Sequence, residues 1–306
     1  MRRFRVGSAA AMVALALLLA ACGSNKKALS GGSNANTSKS ITIGSTNFSE
    51  QLILAQMYAA VLEKAGVTVK LRPNLGAREV VFPALEKGEI DVLPEYTGSA
   101  LSFLDPKSTA TQPAAVLSAL KQQLAAKSLV ALDPTPAEDK DAWAVTQANA
   151  GKYKLSTISS LKPVAGQLVV GGPPELKTRP AGLPGLQKLY GITFKEFKPL
   201  DAAGPLTFSA LKKNSVQVAR VFSTQGQIAA DNLVVLKEDK LLEPAQNLVP
   251  IGRQQALSDP TVSGALNQLS AKLTTDQLTK LNAQVDIDKK DPEEVAKTWL
   301  QQNGLA

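Results

Sequence analysis

The sequence predicts an α/β protein, and three observations lead there. From Ile41 onward, short β-branched and apolar runs alternate with stretches at helical spacing. The chain is 306 residues long, enough for two domains at roughly 100–200 residues each. It ends in three helices, each with its own start signal. Strands interleaved with helices argue for mainly parallel sheets, because a parallel crossover needs a connection long enough to hold a helix.

Taken in order, ITIGS (41–45) is the first predicted strand, with a helix opening near Ser49. VTVKLRP (67–73) is the second. A helix from about Ala77 to Lys87 leads to IDVLPEY (90–96). Val116, Leu117, Leu120 and Leu124 recur at helical spacing before LVALD (129–133). AWAVT (142–146), QLVVGG (167–172), VQVARVF (216–222), LVVLK (233–237) and LVPIG (248–252) complete the strands. At the C-terminus, Asp259-Pro260 places Asp at the N-cap and Pro at N1. Thr274-x-x-Gln277 reads as a capping box, and Asp291-Pro292-Glu293-Glu294 opens the last helix, whose Trp299 and Leu300 fall on its apolar side.

Composition excludes several chemistries. Histidine is absent and Cys22 is the only cysteine. That removes Ser-His-Asp and Cys-His catalysis, His-ligated zinc, thiolate clusters and any intramolecular disulfide. No metal and no cofactor is expected. The formal net charge is +8, but without the terminal Arg2, Arg3, Arg5, Lys26, Lys27 and Lys39 the remainder is only +2. No Lys/Arg-rich block with interleaved aromatics appears, so nucleic acid is not an expected partner. The glycines at 171–172 and in Gly182-x-x-Gly185 match neither a dinucleotide nor a P-loop pattern and read as turns.

The N-terminus sets the compartment. Residues 1–22 have a basic start, an apolar core from Ala9 to Ala21 and small residues before Cys22, the pattern of a secretory signal peptide. Leu19-Ala20-Ala21-Cys22-Gly23 resembles the lipobox of bacterial lipoproteins, which implies diacylation of Cys22. Residues 23–40 have almost no large apolar side chains and read as a flexible tether. The folded part is therefore expected outside the cytoplasm, lipid-anchored to the bacterial cell membrane.

Longer motifs bring a family into view. GSTNFSEQLILAQMYA (44–59), Gly88-Glu89-Ile90-Asp91-Val92, PEYTGSAL (94–101), GGPPELKTRPAGLPGLQKLYG (171–191), the Phe222–Gly226 turn and PEEVAKTWLQQNGL (292–305) resemble the osmoprotectant-binding lipoproteins of ABC importers. The resemblance runs from Ile41 to the C-terminus. It implies a two-lobed, type II periplasmic-binding-protein fold with the ligand in the interlobe cleft. Lobe 1 would be 41–143 plus 250–306 and lobe 2 144–249, with AWAVT and LVPIG as the crossing strands. The implied function is capture of a compatible solute of the glycine betaine or choline type, with an ABC permease and ATPase as partners.

The same resemblance proposes the ligand-binding residues. Arg179, after Glu175 in the PEL-x-x-R segment, stands where the family's ligand-clamping Arg stands. Tyr96 matches a cage tyrosine, and Phe222 lies near the place of another. Thr46 and Asn47 lie at the start of the first helix, where a carboxylate can be received, and Thr46 stands where members often carry Lys. Ser99, Asp139, Asp141 and Thr224 complete the set, with Asp141 at a position where the family carries an aromatic residue. A quaternary ammonium offers no N–H, so it needs aromatic faces and carboxylates; Asp139 and Asp141 are the candidate charge partners. Other readings stay open: a polyol or other polar solute, a non-transport sensor on this fold, or an enzyme, for which no nucleophile–base pair is visible.

Overall fold

A computed structural model of the chain describes residues 40–306. The predicted signal peptide, Cys22 and the tether up to residue 39 lie outside the described residues. Ser40, expected to end the tether, instead opens the first strand.

Among the described residues, ten strands form two five-stranded sheets. The first contains β1 (Ser40–Gly44), β2 (Thr68–Arg72), β3 (Val92–Tyr96), β4 (Leu129–Ala131) and β10 (Leu248–Arg253), in the order β2-β1-β3-β10-β4. The second contains β5 (Asp141–Thr146), β6 (Val169–Gly172), β7 (Glu196–Pro199), β8 (Val218–Phe222) and β9 (Leu233–Val235), in the order β7-β6-β8-β5-β9. Each sheet with its helices is one lobe of a two-lobed α/β fold.

The pleat explains the packing. Val92 and Tyr96 of β3 and Leu248 of β10 face one core with Ile41 and Ile43, under the long helix α1 (Ser49–Lys64) and the three C-terminal helices. Leu93, Val249 and Ile251 face the opposite core, with α2 (Arg78–Glu86), α3 (Thr97–Leu104) and α4 (Pro113–Ala125). In β5, Trp143 and Val145 enter one core and Ala144 the other. Strands buried on both faces read as near-continuous apolar runs, which is how these look in sequence. Trp299 joins the first core as expected. The C-terminal caps also form: Asp259 accepts from Thr261 N, Thr274 and Gln277 make the full capping box, and Asp291 accepts from Glu293 N and Glu294 N.

Two expectations change. The sheets are mixed rather than mainly parallel. β1 is parallel to β2 and β3, and β6 to β7 and β8, but β10 and β5 run antiparallel to both of their neighbours. These are the strands entered immediately after the chain changes lobe, so each is inserted from the opposite end. AWAVT and LVPIG also do not cross between lobes, because their backbone partners all lie within one sheet. The proposed boundaries at 143/144 and 249/250 would cut β5 and β10. The crossings are the segments between Ala131 and Asp141 and between Val235 and Leu248. They pair with each other at Glu138 and Asn247, with Asp139 N donating to Gln246 O at 3.2 Å and Leu248 N to Ala137 O at 3.1 Å. Gly98, at the start of α3, packs onto the second of these segments: a Cβ there would sit 2.6 Å from the Ala245 carbonyl. Among the described residues, no helix is long and apolar enough to cross a membrane.

Candidate functional site

The parallel strands of both sheets point their carboxyl ends at a shared cleft, the place where open α/β sheets bind ligands. The loop after β1, the ends of β3 and β8, the start of β5 and the turn after β6 line a cleft of about 770 Å³, open solvent at its mouth included. Nine of the ten predicted ligand residues line it: Thr46, Asn47, Tyr96, Ser99, Asp139, Asp141, Glu175, Arg179 and Phe222. Thr224 does not. Its hydroxyl is turned away to donate to Glu50 Oε2 at 2.7 Å, and its amide donates to Asp139 Oδ1 at 3.1 Å.

Several wall residues were not foreseen. Phe48 caps α1 and stacks on Phe222, with ring centroids 4.6 Å apart, and on Tyr96 at 6.4 Å. Arg78, at the start of α2, donates to Glu95 through Nε at 2.6 Å and Nη2 at 2.8 Å. Arg220 lies 4.4 Å from the Phe222 ring centroid, and its Nη2 is paired with Asp141 Oδ1. A signal for the last two groups was present. Glu95 and Arg220 are charges inside otherwise apolar strands, VLPEY and VARVF, and buried charges must be paired or used.

Two of the predicted residues have protein partners in the cleft wall. Asp141, expected to face a ligand cation, lines the cleft and is paired with Arg220, whose buried guanidinium needs a counter-charge. Arg179 was expected to hold a ligand carboxylate. Its Nε and Nη2 instead donate to the two oxygens of Glu79 at 3.0 and 2.9 Å, because α2 brings that carboxylate to the cleft rim.

Beneath the rings lies a buried polar hub. Glu50, 3% exposed, accepts from Tyr96 Oη at 2.6 Å, Thr224 Oγ1 at 2.7 Å and Asn282 Nδ2 at 2.6 Å. Burial, and then the nearby charge of Asp139, push the Glu50 carboxyl up to about 8 against these bonds. Burial also lifts Asp139, while bonds from Thr224 and Ser223 and the Arg220 charge pull it back. The hub joins the lobes: Glu50 and Asn282 belong to one and Thr224 to the other. With Phe48 on Phe222 and Arg179 on Glu79, it describes a closed cleft.

Fold and cleft together define a two-lobed solute-binding protein. Residues 39–302 match the family described as the substrate binding domain of ABC-type glycine betaine transport systems, and the chain belongs to that family. The chain is 30% identical to the glycine-betaine-binding protein of Pseudomonas aeruginosa over 279 residues, which cover 87% of this chain and 89% of the relative. It is likewise 30% identical to the carnitine transport binding protein OpuCC of Listeria monocytogenes, with 89% of each chain covered. A solved structure titled as a glycine betaine/carnitine/choline ABC transporter superposes with a TM-score of 0.69 at 27% identity, covering 87% of this chain and 99% of that one. The chain is thus a substrate-binding component of an ABC importer.

Proposed function

We propose that this chain captures a zwitterionic compatible solute of the quaternary-amine type in the interlobe cleft and delivers it to an ABC permease and its ATPase. The observation that carries this reading is the wall itself. One cleft holds the rings of Phe48, Tyr96 and Phe222, the carboxylate of Asp139 and the guanidinium of Arg220. A cation is favoured by ring faces and carboxylates, and a carboxylate by guanidinium. Binding without turnover fits the family's transport role and a wall that lacks histidine and cysteine. Closure is a hinge motion about the paired segments at 137–139 and 246–248, and the permease reads the closed form.

Thermal melting of the full chain in detergent with glycine betaine, carnitine, choline and polyols tests the reading. A ligand at 100 times its Kd stabilises the fold by about 2.7 kcal/mol. Stabilisation by glycine betaine or carnitine is expected. A response to polyols alone would favour the second reading, a binder of uncharged polar solutes, which the stacked rings and mutually paired charges also suit.

The anchor belongs to the same proposal. Cys22→Ala removes the thiol that diacylation requires, and stable anchoring needs two acyl chains. The variant should move from the membrane pellet to the soluble fraction after a high-salt wash. Retention in the pellet would contradict the lipobox reading.

A further inference from the structure

Glu50 owes its burial to both lobes. It sits in the first turn of α1, and its partners Tyr96 and Asn282 belong to the same lobe. The turn after β8 covers it from the other lobe. Thr224 Oγ1 donates to Glu50, and Phe222, Thr224 and Gln225 wall the small space beside it with Asn282 and Asp286. The helix Thr275–Asp286 grips that turn: Gln227 Nε2 donates to Asp286 O at 3.1 Å and Asn282 Nδ2 to Thr224 O at 3.3 Å. Parting the lobes removes the turn and lets water reach Glu50.

The acids around Glu50 outnumber the bases. Asp139, from the crossing segment, is bound to the same turn, its Oδ1 accepting from Thr224 N at 3.1 Å and Ser223 Oγ at 3.0 Å. Asp286 lines the same space and is bonded to Ser49. Tyr96 is the third titratable neighbour. Arg220 on β8 acts on Asp139 and Lys289 on Asp286, and among the described residues no cation is paired with Glu50. A carboxyl sealed there has neither water nor a counter-charge, so closure favours its neutral form. Burial, more than the Asp139 charge, lifts it to about 8 in the closed cleft. The neutral form keeps its bonds, because the Tyr96 and Thr224 hydroxyls can accept as well as donate.

We propose that the lobes take up one proton from solvent at Glu50 as they close on solute, so that capture is tightest in acid and weakens as pH rises. The inference rests on the solute-binding reading above and adds a regulation to it. In the open form Glu50 meets water and releases its proton above the ordinary carboxylate range, whereas the closed form keeps it. Affinity therefore falls with rising pH, by at most about tenfold per unit for one proton, and levels off above about 8.

Calorimetry with glycine betaine on the full chain in detergent, at about pH 6.5 in buffers of different ionisation enthalpy, counts the protons. Uptake close to one proton is expected, with affinity falling at least about tenfold between pH 6 and 8. Glu50→Gln should bind with no uptake and a flat profile. Because its amide sets an N–H against Asn282, Thr224→Val is measured alongside. That variant lacks a bond favouring the charged form, so the upper bend of the profile should move to higher pH. Uptake absent from wild type, uptake retained in Glu50→Gln, or a bend unmoved in Thr224→Val would overturn the inference and leave the solute-binding reading intact. If betaine, carnitine and choline all fail to bind, the quaternary-amine reading falls, and small-angle scattering without solute decides the proton site. A radius of gyration that shrinks as pH is lowered from about 8.5 to 5.5 in wild type, but not in Glu50→Gln, supports it. A radius that ignores pH, or shrinks equally in Glu50→Gln, overturns it.

Discussion

Arg179 and Glu79 meet across the cleft as a two-bond pair, with Nε and Nη2 donating to Oε1 and Oε2 at 3.0 and 2.9 Å. One residue follows β6 in the second lobe, and the other sits in the first turn of α2 in the first. Burial lifts the Glu79 carboxyl, but the Arg179 guanidinium more than offsets this and holds it below its ordinary value. The pair is a latch on the closed form. Both side chains keep contact with solvent, so its contribution is about 0.2–1 kcal/mol. Arg179→Ala and Glu79→Gln should therefore weaken glycine betaine and choline alike, by at most about fivefold. If Arg179 instead clamps the solute carboxylate, calorimetry will show betaine alone losing about 2–5 kcal/mol.

Glu50 makes the fold sensitive to pH. Its carboxyl ordinarily titrates near 4.5 and is raised to about 8 in the folded chain. Between these values the folded state holds a proton that the unfolded state has released. Stability therefore falls as pH rises from about 4.5 to about 8 and levels off above. Asp139, also raised, adds in the same direction at the acid end. Melting by calorimetry should show Tm dropping between pH 5 and 8, by roughly 2–4 °C per kcal/mol in a chain this size. Glu50→Gln should remove most of that slope, and a slope unchanged in Glu50→Gln would place the titrating group elsewhere.

Gly226 tests closure by shape alone. It stands at φ −60, so any residue fits its backbone. A Cβ there would lie 2.7 Å from the Ala283 Cβ on the helix Thr275–Asp286 of the other lobe. Gly226→Ala should hold the lobes slightly apart, weakening every solute by a similar factor, roughly tenfold, while the Tm measured without solute changes little. Small-angle scattering should show a larger radius of gyration with saturating solute than in wild type. A variant that closes and binds like wild type would show that the contact at Gly226 is not limiting.

Much of the fold is legible in the sequence. The predicted strands all form, because residues buried on both faces leave uninterrupted apolar runs. β7 was not visible, since EFKP is polar and ends in Pro, as suits the edge strand it proves to be. Nine wall residues followed from motif resemblance. The arginine partners did not. Asp141 and Arg220, Arg78 and Glu95, and Arg179 and Glu79 are far apart in the chain, and which acid meets which base is decided by strand register and helix placement. Phe48 was hidden for a related reason: its place in the first helix's start motif gave no hint of a ring stack with Phe222. The crossings were displaced because AWAVT and LVPIG have strong β character, while the segments that carry the chain across contain Pro, Glu and Asp.

The Asp141–Arg220 pair carries the last prediction. Their side chains are 18% and 4% exposed, so removing the acid strands a buried guanidinium with all three nitrogens unpaired. Breaking a buried pair this way costs about 3–5 kcal/mol. Asp141→Tyr should therefore lower Tm sharply, although the resemblance places an aromatic residue at this position. Arg220→Met alone should cost less, because Asp141 keeps some access to water. Combining Asp141→Tyr with Arg220→Met leaves no orphan charge and removes the cation beside the Phe222 ring. The double variant should recover most of the lost stability, with a coupling above about 1.5 kcal/mol in the cycle. It should also gain affinity for choline, since a new ring then stands opposite Phe222 without the guanidinium that lies beside that ring in wild type. Additive losses in the cycle would mean that the two side chains are not energetically paired, and the account of Arg220 as a guanidinium held at one edge by Asp141 would fail with them.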